Sequence, residues 1–315
     1  MRTLVSKKSK IYFLFTAFLF FILVSCGDNK FEANNPEDHE TYNSGKLEIY
    51  VDDAIADVMD SVFTMYKAER ITNVDLKVHI VNAREAMVKL LARESRLVML
   101  ARDYLNDEDS LMKLNGLKPH RKFIPASEAL VFFVNKNSKL DTLNHKEVVS
   151  FLTDSGYNLS EKFNLSEQLT LLSRDIQTSE FATLKNIIGS EANLKKEIIY
   201  INKTDSLITL VENNKSYMGV ALYSKIMKND KVKPLRIGYS DSTGKWISPK
   251  PIHPGWFLQN LYPYRVFYNI YLLEDKRNLA FWFSQYCATE RKVVQYYQRY
   301  GIVPEYAKFK LHINK

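Results

Sequence analysis

Asp52 and Asp53 are adjacent carboxylates between an alternating apolar run and a helical one, so they are the first residues to consider for acid/base chemistry. Neighbours at a helix start seldom point the same way, and no further carboxylate is brought to them by spacing, so a working acid/base pair is not supported. The chain has no G-x-S-x-G, H-E-x-x-H, P-loop or C-x-x-C, and its 6 histidines are scattered without metal-ligand spacing. His79, near a strand end, reads as structural. The residues therefore argue against an enzyme, with no catalytic residue, metal ligand or cofactor expected. What they do support is covalent modification. Leu23-Val24-Ser25-Cys26 closes a segment headed by Arg2, Lys7, Lys8 and Lys10, with an apolar core from Ile11 to Val24. A small residue before the cysteine is what a lipoprotein signal peptidase requires. Cys26 is the expected lipidation site and 1–25 the signal peptide, because an apolar core of about 14 residues falls short of the roughly 20 that span a bilayer. The expected address is the cell envelope of a Gram-negative-type bacterium, lipid-anchored and facing the periplasm.

Loss of 1–25 would remove four basic residues and no acidic ones, leaving 40 Lys+Arg against 36 Asp+Glu. These charges are interleaved rather than gathered in a stripe, which argues against nucleic acid as a partner. Beyond Cys26 the remaining cysteine is Cys287, set among Phe281, Trp282, Phe283 and Tyr286, as expected of a buried free thiol. Residues 26–44 are polar and nearly free of apolar side chains, the composition of a disordered tether. From 45 onward the composition is globular, and roughly 270 residues exceed what one core usually serves, so two lobes are expected.

Leu47, Ile49 and Val51 alternate with polar neighbours, predicting a strand, and Ile55, Val58, Met59, Val62, Phe63 and Tyr66 recur at helical spacing with Asp52 or Asp53 as cap. The strand-helix step repeats through 74–80 and 83–93, then 97–101 and 107–114. The apolar run 129–135 leads to helix 145–152. Strands 169–172, 198–201 and 218–222 follow, with helices 179–188 and 206–213. A long strand is expected over 264–272 and one aromatic helix from Arg277 to about Arg299, ended by Gly301 and Pro304. The pattern is α/β with mostly parallel sheets. The stretch 240–255, with three prolines and two glycines, is the expected exposed contact loop.

Five blocks, in order, carry a family resemblance across nearly the whole chain after 45. They are Leu47-Glu48-Ile49-Tyr50-Val51-Asp52-Asp53, then Leu97 to Arg102 before Leu105-Asn106-Asp107-Glu108, Ile124 to Asn135, Asn213 to Val220, and Tyr262-Pro263-Tyr264-Arg265 with Tyr300-Gly301-Ile302-Val303-Pro304. The chain resembles the phosphate-type (PstS-like) substrate-binding lipoproteins of ABC importers. The resemblance implies a two-lobed type 2 periplasmic-binding fold, with lobe I at 45–134 plus 229–315 and lobe II at 135–228. It also implies a small ligand, phosphate or another oxyanion, held in the cleft by helix N-termini, whose free N–H groups and dipole favour an anion. An ABC permease or other envelope proteins would be the partners.

The residues that the resemblance places at the ligand are Asp52, Asp53, Arg102, Glu128, Arg174, Thr178 and Ser179. Two departures stand out. Phosphate binders commonly carry Ser, Thr or Gly at the first strand-helix turn, where this chain has Asp52-Asp53. The family's Arg-x-x-x-Ser-Gly-Thr becomes Arg174-Asp175-Ile176-Gln177-Thr178-Ser179-Glu180. Arg174 suits a bidentate grip on an oxyanion, or else a salt bridge to Asp175 or Glu180. Arg102 would reach the cleft, or else cap or bridge lobes. Glu128 would accept from a protonated ligand oxygen or join a hinge-side ion pair. Carboxylates at the turns point either to an altered ligand or to capping residues facing away. The expected function is a lipid-anchored solute receptor; the alternative is a degenerate binding fold serving as an envelope interaction or scaffold module.

Overall fold

The computed structural model describes residues 40–42, 44–69, 73–189, 192–194 and 197–306. Cys26, the signal peptide and most of the expected tether lie outside them. Among the described residues no helix is long and apolar enough to cross a membrane.

The first sheet has β1 (Ser44–Asp52) between β2 (Asn73–Val81) and β3 (Leu97–Leu100), all parallel, then β14 (Asn269–Leu272) and β4 (Arg121–Phe123) antiparallel to their neighbours. Parallel neighbours need crossovers, supplied by α1 (Ala56–Glu69) and α2 (Ala83–Leu91). The buried side of α1 is Val58, Met59, Val62, Phe63 and Tyr66, the set its spacing predicts. At α2, Asn82 Oδ1 accepts from the Glu85 N–H at 2.8 Å, occupying one of the donors that a helix start leaves unpaired. Helix α3 (Asn106–Leu114) follows β3.

All ten residues of β5 (Ala126–Asn135) are buried, because this strand serves both halves of the molecule. Its first half pairs with β13 (Arg265–Phe267) and β15 (Val303–Pro304). Its second half joins a sheet of order β10-β5-β9-β7-β8, made with β7 (Thr170–Ser173), β8 (Ile198–Tyr200), β9 (Tyr217–Leu222) and β10 (Val232–Pro234). Helices α4 (His145–Thr153), α5 (Leu159–Lys162), α6 (Ser179–Ile188), α7 (Thr204–Asn213) and α8 (Tyr223–Ile226) belong to this half. A small sheet joins β6 (Thr142–Asn144), β11 (Arg236–Ser240) and β12 (Trp246–Ile247).

Three expectations change. The strand expected over 264–272 is two strands: β13 lies on β5, and β14 lies between β3 and β4. Tyr268 sits at the step, its N–H bonded to Ala126 O at 2.9 Å, so this stretch carries the chain from one sheet to the other. The aromatic helix is also two, α10 (Leu279–Thr289) and α11 (Arg291–Arg299), because Glu290 leaves the helical region at ψ 129°. Finally, β10 pairs with β5 and β11 with β6, so 232–234 joins the second sheet and 236–247 the small one, whereas 229–315 was expected to go with lobe I. The return to the first sheet comes later, at β13 and β14. The stretch 240–255 carries β12, and α9 (Pro254–Leu258) begins at its end; Trp246 is exposed there.

Cys287 is a buried free thiol, as expected, and burial raises its pKa far above the usual range. Gly301 has φ 69°, a left-handed conformation that lets the chain turn out of α11 at little cost.

Candidate functional site

The turns after β1 and β7 come from different sheets and meet. Asp52 ends β1 and is fully buried. Its Oδ1 accepts from Ala54 N at 3.1 Å, its Oδ2 accepts from Ala101 N at 3.0 Å, and the Ser179 hydroxyl also donates to Oδ2. A carboxylate that accepts backbone N–H groups takes the donors an oxyanion would use. Burial nevertheless pushes the Asp52 pKa up.

Asp53 Oδ2 is ion-paired with Arg174 Nη2, and Arg174 Nη1 donates to the Asn202 carbonyl. The Arg174 side chain is 6% exposed, so its charge is answered inside the protein by a residue 121 positions away. Thr178 caps α6: its hydroxyl donates to Asp175 O at 2.7 Å and accepts from Phe181 N at 3.4 Å. Glu180 follows in the first turn, 1% exposed, with neither carboxyl oxygen hydrogen-bonded among the described residues. Burial, then the nearby Asp52 charge, raises its pKa to about 7. Asp53 Oδ1, Ser173 Oγ and Arg174 Nε are also buried with no hydrogen-bond partner among the described residues. The structure thus brings together Asp52, Asp53, Arg174, Thr178 and Ser179, and packs the altered position 180 among them. The turns expected to hold an anion carry three acidic side chains against one guanidinium.

Arg102 and Glu128 do not join this group. Arg102 is locked in a two-bond pair with Glu108, Nη1 to Oε2 and Nη2 to Oε1, each 2.7 Å. Glu108 Oε2 also accepts from Leu105 N at 2.9 Å, so the pair fixes the start of α3 rather than offering a free cation. Glu128 is buried in β5 and accepts from Tyr268 OH, from Ser224 N at 2.6 Å and from Ser224 Oγ at 3.0 Å. Burial raises its pKa, and its partners tie β5 to the inter-sheet step and to α8. Among the described residues no group of three or more His, Cys, Asp and Glu could hold a metal.

An open cavity of about 760 Å³ lies next to this cluster, sharing Ala101 with it. Residues near the first sheet (Lys122, Asn269), the inter-sheet step (Tyr264, Arg265) and the second half (His145, Tyr239) line it. Its cations are answered locally: Lys122 by Asp103 at 2.6 Å and Arg265 by Glu305. Asn269 is 2% exposed, with Oδ1 unpartnered at the wall. Sequence reasoning missed these residues as a lining. Tyr264 and Arg265 lie in the last of the five blocks, but nothing local gives the convergence of three distant segments.

No family model and no curated protein matches the sequence. Solved structures do match in shape. A substrate-binding protein from Clostridium perfringens, solved with bound phosphate, superposes at TM-score 0.67 with 15% identity, covering 82% of this chain and 99% of that one. An ABC-type phosphate transport receptor from Vibrio cholerae gives 0.63 with 12% identity over 82% and 100%. A regulatory domain from Synechocystis, in complex with 2-PG, gives 0.53 with 8% identity over 78% and 96%, so one architecture serves unlike proteins. Two α/β sheets joined by β5 and by the β13–β14 step, with two strand-helix turns meeting between them, are the two-lobed type 2 periplasmic-binding fold of the PstS-like phosphate receptors, and this chain has that fold.

Proposed function

We propose that the chain is a lipid-anchored solute receptor of the cell envelope that presents its ligand to an ABC permease, and that the ligand is not a tight-bound tetrahedral oxyanion. The observation that carries this reading is the internal neutralisation of Arg174 by Asp53, with Glu180 buried beside it. An incoming phosphate would have to displace the Asp53 carboxylate from the guanidinium, and like charges about 4 Å apart repel by several kcal/mol at a near-surface effective dielectric; the Asp52 oxygens already take the neighbouring N–H donors. The neighbouring cavity of about 760 Å³ falls in the range of pockets that take drug-sized ligands, so a larger solute is the better occupant. Cys26 would carry the lipid and the fold would face the periplasm.

Calorimetry with inorganic phosphate tests this. The dissociation constant should be no tighter than about 1 μM, and Asp53→Ser with Glu180→Thr should tighten it at least about tenfold, while Arg174→Ala removes binding. Nanomolar phosphate binding by the unaltered chain would overturn the reading. A second reading, an envelope scaffold with no small ligand, is favoured by the Asp53–Arg174 and Asp52–Ser179 contacts, which join the two turns directly. A thermal-shift screen of solutes separates the two, since only the receptor is stabilised by one.

A further inference from the structure

The outer face of the first lobe carries a second, smaller cavity of about 170 Å³, whose walls include Arg93, Lys118, His120, Arg121, Leu273 and Asp275. Its charge balance is unlike that of the cleft. Elsewhere Arg84, Arg96, Arg102, Arg174 and Arg265 each face a carboxylate. Here Arg93 and Lys118 have no ion-pair partner among the described residues. Arg121 donates to the backbone carbonyl of Asp275 at 3.2 Å and lies 4.4 Å over the Phe281 ring, neither of which cancels its charge. Asp275 is the single acid in the lining.

Two further features suit an anion. His120 Nδ1 is 2.7 Å from Tyr104 OH, and burial, then the Arg93 charge, lowers the His120 pKa from 6.5, so the ring is neutral at pH 7. With Tyr104 donating to Nδ1, Nε2 keeps the proton and is a donor. Arg93 holds φ 58°, a left-handed conformation that favours Gly or Asn, so a long cationic side chain is kept at a backbone position that disfavours it.

The place of the cavity points to the source of the anion. Leu273, in its wall, bonds through its N–H to Arg96 O at 2.9 Å, and Arg96 grips Glu40 with two bonds of 2.8 Å. Glu40 is the first described residue, 14 positions after Cys26. An extended chain of that length reaches at most about 50 Å, so this end of the lobe stays within reach of a bilayer holding the Cys26 lipid. The volume admits a phosphate group and is below the roughly 300–1,000 Å³ of sites for larger solutes.

We propose that the Arg93–Lys118–Arg121 cavity is a docking site for the phosphate headgroup of an anionic membrane lipid, orienting the anchored receptor on its membrane. The proposal rests on the lipid-anchored reading. The test uses the full chain, processed in cells and reconstituted in nanodiscs of phosphatidylcholine with or without phosphatidic acid, with hydrogen exchange read over 91–96 and 117–121. Exchange in both segments should slow only with phosphatidic acid. Protection should be lost in Arg93→Gln/Lys118→Gln, kept in Arg236→Gln at an exposed site elsewhere, and lost between about 0.1 M and about 1 M salt as the screening length falls from about 10 Å to about 3 Å. Unchanged exchange with phosphatidic acid, or equal protection in the double variant, would overturn the proposal. Protection by inorganic phosphate in phosphatidylcholine discs would assign the site to the free ion and overturn the membrane role. The mass of the Cys26 peptide reads the anchor separately: a lipidated chain without protection sinks only this proposal, whereas an unmodified Cys26 sinks the anchored reading and this proposal with it.

Discussion

Glu180 occupies a position where free helix N–H groups favour a negative charge, yet desolvation outweighs that attraction and holds its proton on up to about pH 7. The linkage has a definite sign. The folded pKa of about 7 lies above the ordinary glutamate value of 4.5, so between those values the folded state holds a proton the unfolded state has lost. Stability from this group is fully present below about pH 4.5, falls as pH rises through the window, and is gone above about pH 7, a swing of up to about 3 kcal/mol. Glu180→Gln keeps the shape and removes the titration. Urea midpoints at about pH 5 and about pH 8 should therefore converge in that variant relative to the unaltered chain. An unchanged pH slope would mean that the carboxyl is hydrated. Sequence alone gave Arg174 and the altered turn but not their pairing, because Asp53 sits 121 residues from Arg174 and only the meeting of two sheets joins them.

At the scale of elements, Arg102 shows why a correct motif can mislead. The cation after a buried strand was expected either to reach the cleft or to cap or bridge; it does line the larger cavity, but Glu108, six residues on, turns back to cap α3 and takes its charge. Glu108→Ala should cost about 3–5 kcal/mol, because it strands a buried guanidinium, whereas Arg102→Met with Glu108→Leu should restore most of the loss. Denaturant unfolding of both variants checks this; equal destabilisation would show that the pair contributes net stability. β9 sets a second constraint at Gly219, where an added Cβ would lie 2.4 Å from Phe133 Cζ and 2.8 Å from Leu207 Cδ2. Gly219→Ala should destabilise by about 1–3 kcal/mol through overpacking, measured the same way. β1, α1 and α6 were legible because their apolar spacing and caps are local. The breaks at Tyr268 and Glu290 were not, since 264–272 is apolar on both faces and 277–299 contains no Pro or Gly to announce a stop.

At the scale of the molecule, the contacts between turns decide how the two halves respond to a ligand. Asp53–Arg174 and Asp52–Ser179 are joined by Asn82 Nδ2 to Gln177 Oε1 at 3.2 Å and by Arg84 N to Gln177 O at 3.1 Å. All four link segments next to the first sheet with the loop and helix after β7, and none needs a ligand. A receptor closed by its solute gains inter-lobe contacts only on binding, since a ligand shifts an equilibrium by no more than its differential affinity for the two states. Here the protein supplies such contacts itself, so the closed arrangement should predominate without phosphate. Small-angle scattering should give a radius of gyration near the compact value of about 19 Å for roughly 270 residues, with no change on adding phosphate. Asp53→Ala with Ser179→Ala removes two links and should enlarge it. Compaction of the unaltered chain by phosphate would show that these contacts form only around the anion, and the plain phosphate-receptor reading would then replace the one proposed.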